Sequence, residues 1–182
     1  AKTGKVLKSI DTGSSILAAP MTYAVNGVQY VAVMAAWGGG GFPYVPPYAA
    51  AYQRGNAGRL LVFRLDGGPV PLPPLLPKLE VAPPPPAQAA GVTPATIAQG
   101  QALFFGNCAI CHSNQHRSIT PDLRRMQPGT HDAFRAILLD GALVPNGMPR
   151  WDDTLKPAEV DAIHAYLTDL QGKTRADELA KV

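Results

Sequence analysis

Cysteine is scarce: two thiols in 182 residues allow at most one internal disulfide and exclude a disulfide-framed scaffold. There is no run of 18 apolar residues, so no segment reads as a membrane-spanning helix. Charge of one sign is lacking too. The formal net charge is +3 with Lys and Arg scattered, so nothing offers the basic patch that nucleic-acid binding requires. The sequence opens at Ala1 without a basic segment followed by an apolar one, so an export signal is expected to have been removed or to lie outside this piece. What is present is a 46% hydrophobic fraction, enough for a core, and 19 prolines and 18 glycines gathered into particular stretches.

The two cysteines stand together in Cys108-Ala109-Ile110-Cys111-His112, the attachment signature of c-type haem. Cys-x-x-Cys puts both sulfurs on one turn, where each can form a thioether to a haem vinyl group, and the following imidazole then faces the iron. A zinc site would need two more ligands at ordered spacing, and no second pair of that kind exists in the sequence. A thioredoxin-like redox pair would need a βαβ context, which is absent, and a disulfide between the two is the remaining alternative. His112 is thus the expected proximal ligand of the iron.

The chain reads as a mixed protein in two segments: antiparallel β-structure over 1–68, a proline-rich linker over 69–93 and an all-α domain over 94–182. In the first segment Lys5 to Ile10 alternates, and Met21 to Val25 meets Val28 to Val33 across Asn26-Gly27, the two-residue type I′ hairpin signal. A further strand, Arg59 to Leu65, closes at Asp66-Gly67-Gly68. Between them lies a long loop rich in Gly and Pro that carries Tyr44, Tyr48 and Tyr52. Three or four strands cannot bury a face by themselves, so this segment must lean on something else. The linker centres on Pro83-Pro84-Pro85-Pro86 and is expected to be a semi-rigid, solvated spacer of polyproline II. A helical piece from about Gly91 onward should then fold alone.

Thr93-Pro94 opens a helix, with threonine as N-cap and proline at the first helical position. A middle helix is expected from Thr130 to Asp140, capped by Thr130 and closed by Gly141. The last should start at Pro157, present Val160, Ile163, Tyr166, Leu167 and Leu170 on one face, and end at Gly172.

The second axial position points to Met148 in Pro145-Asn146-Gly147-Met148-Pro149, since a thioether is a soft, weak donor and the Gly and Pro suit a loop held against a haem face. Met126 is the alternative, in a more polar stretch. His116, His131 and His164 are read as structural or solvent-facing.

The first segment resembles the last blade of the propeller in quinoprotein alcohol dehydrogenases, which use pyrroloquinoline quinone (PQQ). The matching residues are Gly4 to Leu7, Ala19 to Tyr23, Gly27 to Val33, Trp37-Gly38-Gly39 and Gly58 to Gly67. The helical part resembles class I cytochromes c through the attachment motif, Gly100 with Phe104 on the first helix, Pro121-Asp122-Leu123 and the Met148 loop. That likeness implies that Gly100 lets the last helix cross the first closely and that the Pro121 carbonyl orients His112. Arg150 and Trp151, directly after the Met148 loop, are candidate haem-propionate contacts by position, with a plain surface arginine as the alternative for Arg150. The likeness further implies haem c in this chain, with PQQ and Ca2+ or a lanthanide in the complete protein. Trp37 would sit near the quinone end of the propeller. The expected role is electron transfer within a periplasmic alcohol dehydrogenase. Its partners would be the remaining blades and a downstream acceptor such as a cytochrome, a cupredoxin or a membrane quinone system, with no nucleic acid. The other reading is a non-enzymatic periplasmic carrier cytochrome with a β docking segment.

Overall fold

The computed structural model describes residues 2–37, 45–112 and 120–181. The chain divides into two compact units, the first reaching Lys78 and the second beginning at Leu79.

In the first unit β1 (Met21–Val25) and β2 (Val28–Ala35) form the expected hairpin. Asn26 and Gly27 both take left-handed backbone, φ 51° and 77°, as a type I′ turn demands. The register sets Val25 opposite Val28 and Met21 opposite Ala32. It also sets Tyr23 opposite Tyr30, whose rings stack at 5.3 Å. β3 (Arg59–Arg64) pairs antiparallel with the other edge of β2, giving the order β1-β2-β3. One face stays bare: Met34 and its partner Leu60 are both exposed, as is Val62. Lys5 to Ile10 does not join the ladder. Alternation alone fixes no register when neither face is buried, and Val6 and Leu7 are 77% and 88% exposed.

The connection from β2 to β3 holds a short helix that the sequence reading left as loop, α1 (Ala50–Arg54). Gly38 to Gly41 and Tyr44 lie outside the described residues. Val45, Ala49 and Ala51 make a small core on which Trp37 and Tyr52 pack. The Trp37 amide donates to Asn56 Oδ1 at 2.6 Å.

The proline-rich stretch is bound at both its parts. Proline cannot donate, so an extended run of it offers carbonyls alone, and arginine, glutamine and amide donors collect on them. On the first unit Arg54 Nη1 donates to the Pro73 carbonyl at 2.5 Å and Arg59 Nη1 to that of Pro71 at 2.8 Å. Residues 79–90 belong to the second unit and lie along its last helix, α4 (Pro157–Leu179). There Arg175 Nη1 donates to the Ala82 carbonyl at 2.5 Å, Gln171 Nε2 to Pro83 at 3.0 Å, and Gln88 Nε2 returns to Ala165 of α4 at 2.8 Å. The Glu178 carboxylate accepts from the Ala82 amide at 2.8 Å, and Ala82 is fully buried. The expected solvated spacer is therefore a strap in this part, and the division between units falls at 78/79.

α2 (Pro94–Asn107) begins as anticipated: the Thr93 hydroxyl accepts from the Thr96 amide at 3.2 Å, and Thr96 answers at the Thr93 amide at 3.3 Å. The middle helix does not run unbroken from Thr130. It starts at Pro128, whose missing N–H suits the first position, as α3 (Pro128–Asp132) with Gln127 as N-cap. After Ala133 the chain widens into a π-turn, Ala136–Asp140, closed by Gly141 at φ 74°. α4 runs past Gly172 to Leu179, because Arg175 and Glu178 on that last stretch hold the strap.

Gly100 explains the crossing of α2 and α4. A Cβ there would stand 1.8 Å from the Ala162 carbonyl oxygen. The two backbones touch, and Phe104 and Tyr166 pack beside the contact with ring centroids 5.5 Å apart. Around them Cys108, Met126, Phe134, Ile137, Leu138, Leu155, Val160, Ile163 and Leu167 form the core.

Candidate haem site

Cys108 ends α2, its amide donating to the Phe104 carbonyl at 2.8 Å. One further turn follows: Cys111 N–H donates to the Cys108 carbonyl at 3.0 Å and His112 N–H to the same oxygen at 2.8 Å. Both thiols are free, Cys108 buried and Cys111 exposed, so the disulfide alternative is not realised. Burial, with a smaller push from Cys111, raises the Cys108 thiol to about 11. A redox-active or metal-binding cysteine needs the opposite shift, toward thiolate. Among the described residues no group of three or more His, Cys, Asp or Glu could hold a metal ion.

His112 Nδ1 lies 3.1 Å from the Pro121 carbonyl oxygen. A carbonyl only accepts, so Nδ1 carries the proton and the lone pair is left on Nε2, the arrangement of a metal-ligating imidazole whose ring is held from behind. The Thr120 hydroxyl donates to the Cys111 carbonyl and ties the same strand of chain to the attachment turn.

The two methionines differ. Met126 is 4% exposed inside the core and its carbonyl accepts from Gln171 at 3.1 Å. Met148 is half-buried, packs on the core from outside, and follows Gly147, whose φ of 90° turns the loop. Its amide donates to the Leu143 carbonyl at 3.2 Å, which fixes the loop while leaving the thioether unused.

Of the two residues after this loop, Arg150 is committed to an exposed ion pair with Asp152, Nε to Oδ1 2.6 Å. Trp151 is anchored by its amide on the Leu138 carbonyl at 2.7 Å, yet its indole Nε1 is buried with no hydrogen-bond partner. Orphaned buried donors are rare and point to a group that completes them. The residues fit a haem: two free thiols on one turn, an oriented imidazole, an uncommitted thioether and one donor awaiting an acceptor.

The sequence reading missed the polar cluster behind the core. His131, polar in its sequence surroundings, is only 6% exposed, with Nδ1 2.8 Å from His164 Nε2 and Nε2 3.1 Å from Gln171 Oε1. The signal was available: His164 and Gln171 fall at the spacing of the apolar stripe of α4, where a polar residue must find a buried partner. His116 lies outside the described residues.

Residues 95–167 match the family model described as cytochrome c oxidase, cbb3-type, subunit III. The chain is 41% identical over 177 residues to the quinohemoprotein alcohol dehydrogenase ADH IIB of Pseudomonas putida, covering 92% of this chain and 24% of that protein. It is 32% identical to the dehydrogenase subunit of the alcohol dehydrogenase (quinone) of Komagataeibacter europaeus, covering 98% of this chain and 24% of that one. Among solved structures, the quinohemoprotein alcohol dehydrogenase ADHIIG of Pseudomonas putida HK5 superposes with a TM-score of 0.68 at 33% identity, over 91% of this chain and 25% of that one. The chain thus spans about a quarter of the length of these relatives. With a three-stranded antiparallel sheet of propeller-blade kind ahead of a small helical haem fold, it corresponds to the C-terminal part of the quinohemoprotein alcohol dehydrogenases, the part that holds their cytochrome c domain.

Proposed function

We propose that this chain binds haem c covalently and serves as the electron-transfer part of a PQQ-dependent quinohaemoprotein alcohol dehydrogenase. Cys108 and Cys111 would hold the porphyrin through thioethers, and His112 and Met148 would take the two axial positions of the iron. Pro121 would orient His112, and Trp151 Nε1 would donate to a propionate. Arg150, paired with Asp152, has less freedom to do so. The haem, when bound, supplies one-electron chemistry, and Met/His ligation favours the ferrous state relative to bis-histidine. Electrons would come from PQQ, bound with Ca2+ or a lanthanide among the other blades of the enzyme, as alcohol is oxidised. They would leave to a downstream cytochrome, cupredoxin or membrane quinone system. The place of work would be the periplasm; no helix among the described residues is long and apolar enough to cross a membrane.

The observation that carries this reading is the His112 Nδ1 contact with Pro121, which leaves Nε2 free on the residue next to two unpaired thiols. The test is axial ligation. In the haem-loaded protein Met148→Ala should abolish the weak near-infrared sulfur-to-iron band of the oxidised form and lower the reduction potential, while Met126→Ala should keep the band. The reverse pattern would overturn the assignment.

A further inference from the structure

The buried polar cluster has a determined proton pattern. Gln171 is fully buried, and its Nε2 donates to the carbonyls of Pro83 at 3.0 Å and Met126 at 3.1 Å. Carbonyls only accept, so the amide can sit one way alone, and Oε1 is the atom 3.1 Å from His131 Nε2. That nitrogen therefore bears a proton. Neutral His131 keeps its lone pair on Nδ1, 2.8 Å from His164 Nε2, which must then be the donor. The one lone pair left over by this relay is on His164 Nδ1.

His131 is only 6% exposed, whereas His164 is half-buried; both line a groove of about 490 Å³ between residues 86–92, the end of α3 and α4, and His164 is the more open of the two. A proton arriving on His164 Nδ1 leaves every hydrogen bond of the relay in place. A second would set N–H against N–H across the pair, so the cluster takes one. The charged groups facing the groove are Asp161, one turn before His164 on α4, its ion-pair partner Arg135, and Asp132 on α3. The strap and α2 contribute Gln88 and Thr96 and no charge. On its other side His164 stacks on Phe134, centroids 4.6 Å apart and planes 21° apart, and Phe134 belongs to the same core as Cys108, against which Met148 and Trp151 pack.

We propose that His164 Nδ1 is a proton-binding site coupled to the oxidation state of the haem. The coupling rests on the haem reading above. With haem bound as proposed, one-electron reduction of the iron by the reduced quinone cofactor would be accompanied by transfer of one proton from solvent to His164 Nδ1, and reoxidation by the acceptor would return that proton to solvent. Charge gained by the core is balanced at its wall, where low dielectric makes the attraction count. Burial and, to a lesser extent, His131 hold the imidazole below its ordinary range against the upward pull of Asp161.

The experiment is the midpoint potential of the full haem-loaded chain from pH 5 to pH 8, with proton uptake on reduction read by an indicator dye in unbuffered solution. The wild type should rise in potential as pH falls, then level off. His164→Gln, whose amide can still donate to His131, should flatten the curve. Asp161→Asn, which leaves the relay intact, should move the rise to lower pH. A flat wild-type curve without proton uptake overturns the coupling, as does a slope unchanged in both variants. Failure of the haem reading itself would show separately, as a protein lacking the pyridine haemochrome spectrum of haem c.

Discussion

Replacing Gly100 by alanine should destabilise the helical unit, although alanine is the better helix former. A Cβ at this position would lie 1.8 Å from the Ala162 carbonyl oxygen, and contacts under 3.0 Å essentially never occur. The helices must part by about the difference, 3.0 minus 1.8 or 1.2 Å. The obstacle is helix backbone, so no rotamer change relieves it, and a gap of roughly 1 Å forfeits a quarter to a half of each dispersion contact across the crossing. Overpacking costs about 1–3 kcal/mol, and a backbone obstacle places this site near 3. Helix propensity returns about 1 kcal/mol. A net loss of about 2 kcal/mol corresponds to a fall in Tm of roughly 8–16 °C for a unit of this size. The assay is thermal unfolding of the haem-loaded chain followed at 222 nm. Gly106 is the internal control: it lies on the same helix with nothing within 4 Å of its Cβ position, so Gly106→Ala should be neutral or stabilising by up to about 1 kcal/mol. If Gly100→Ala were as stable as Gly106→Ala, close helix contact would not hold this unit together.

Glu178→Gln removes the charge that accepts from both the Ala82 amide and Arg125, and should cost about 1–3 kcal/mol and expose residues 79–90 to protease. A haem-loaded truncation starting at Leu79 should unfold at higher temperature than one starting at Gly91, since only the former keeps the strap; equal midpoints would refute the strap's role. Stability should also depend on His164. Its pKa is lowered by burial, so the unfolded chain, titrating near 6.5, binds the proton more tightly than the folded one. Its contribution is therefore complete above about pH 6.5 and lost as pH falls from there toward the folded value, a slope that denaturant titrations should find reduced in His164→Gln.

What the sequence disclosed was whatever is written locally. Asn26-Gly27 needs positive φ on both residues and turned there; Thr93-Pro94 carries its own cap; Cys-x-x-Cys-His is one turn of chain. What it concealed depends on residues far apart. Proline composition predicts an extended conformation correctly, but not whether its carbonyls meet water or Arg175 and Gln171, 93 and 88 positions away. The alternation of Lys5 to Ile10 suggested a strand, and only a partner edge would have made it one. The early stop at Gly172 was misjudged for a similar reason: glycine is a weak breaker when the turns beyond it are held by tertiary contacts. Within the site, His112 was readable from motif and its Pro121 carbonyl only through the resemblance, while the role of Gln171 needed three partners to be seen at once.

The burial of Cys108 bears on how the proposed haem would be loaded. The residue is 7% exposed at the end of α2, in the core with Phe104 and Leu167, whereas Cys111 is exposed. If both sulfurs carry the porphyrin, as proposed, Cys108 would have to react before that core closes over it. Folding and cofactor loading would then compete in time, and local opening of this core would set how readily chain that folded first could still be loaded.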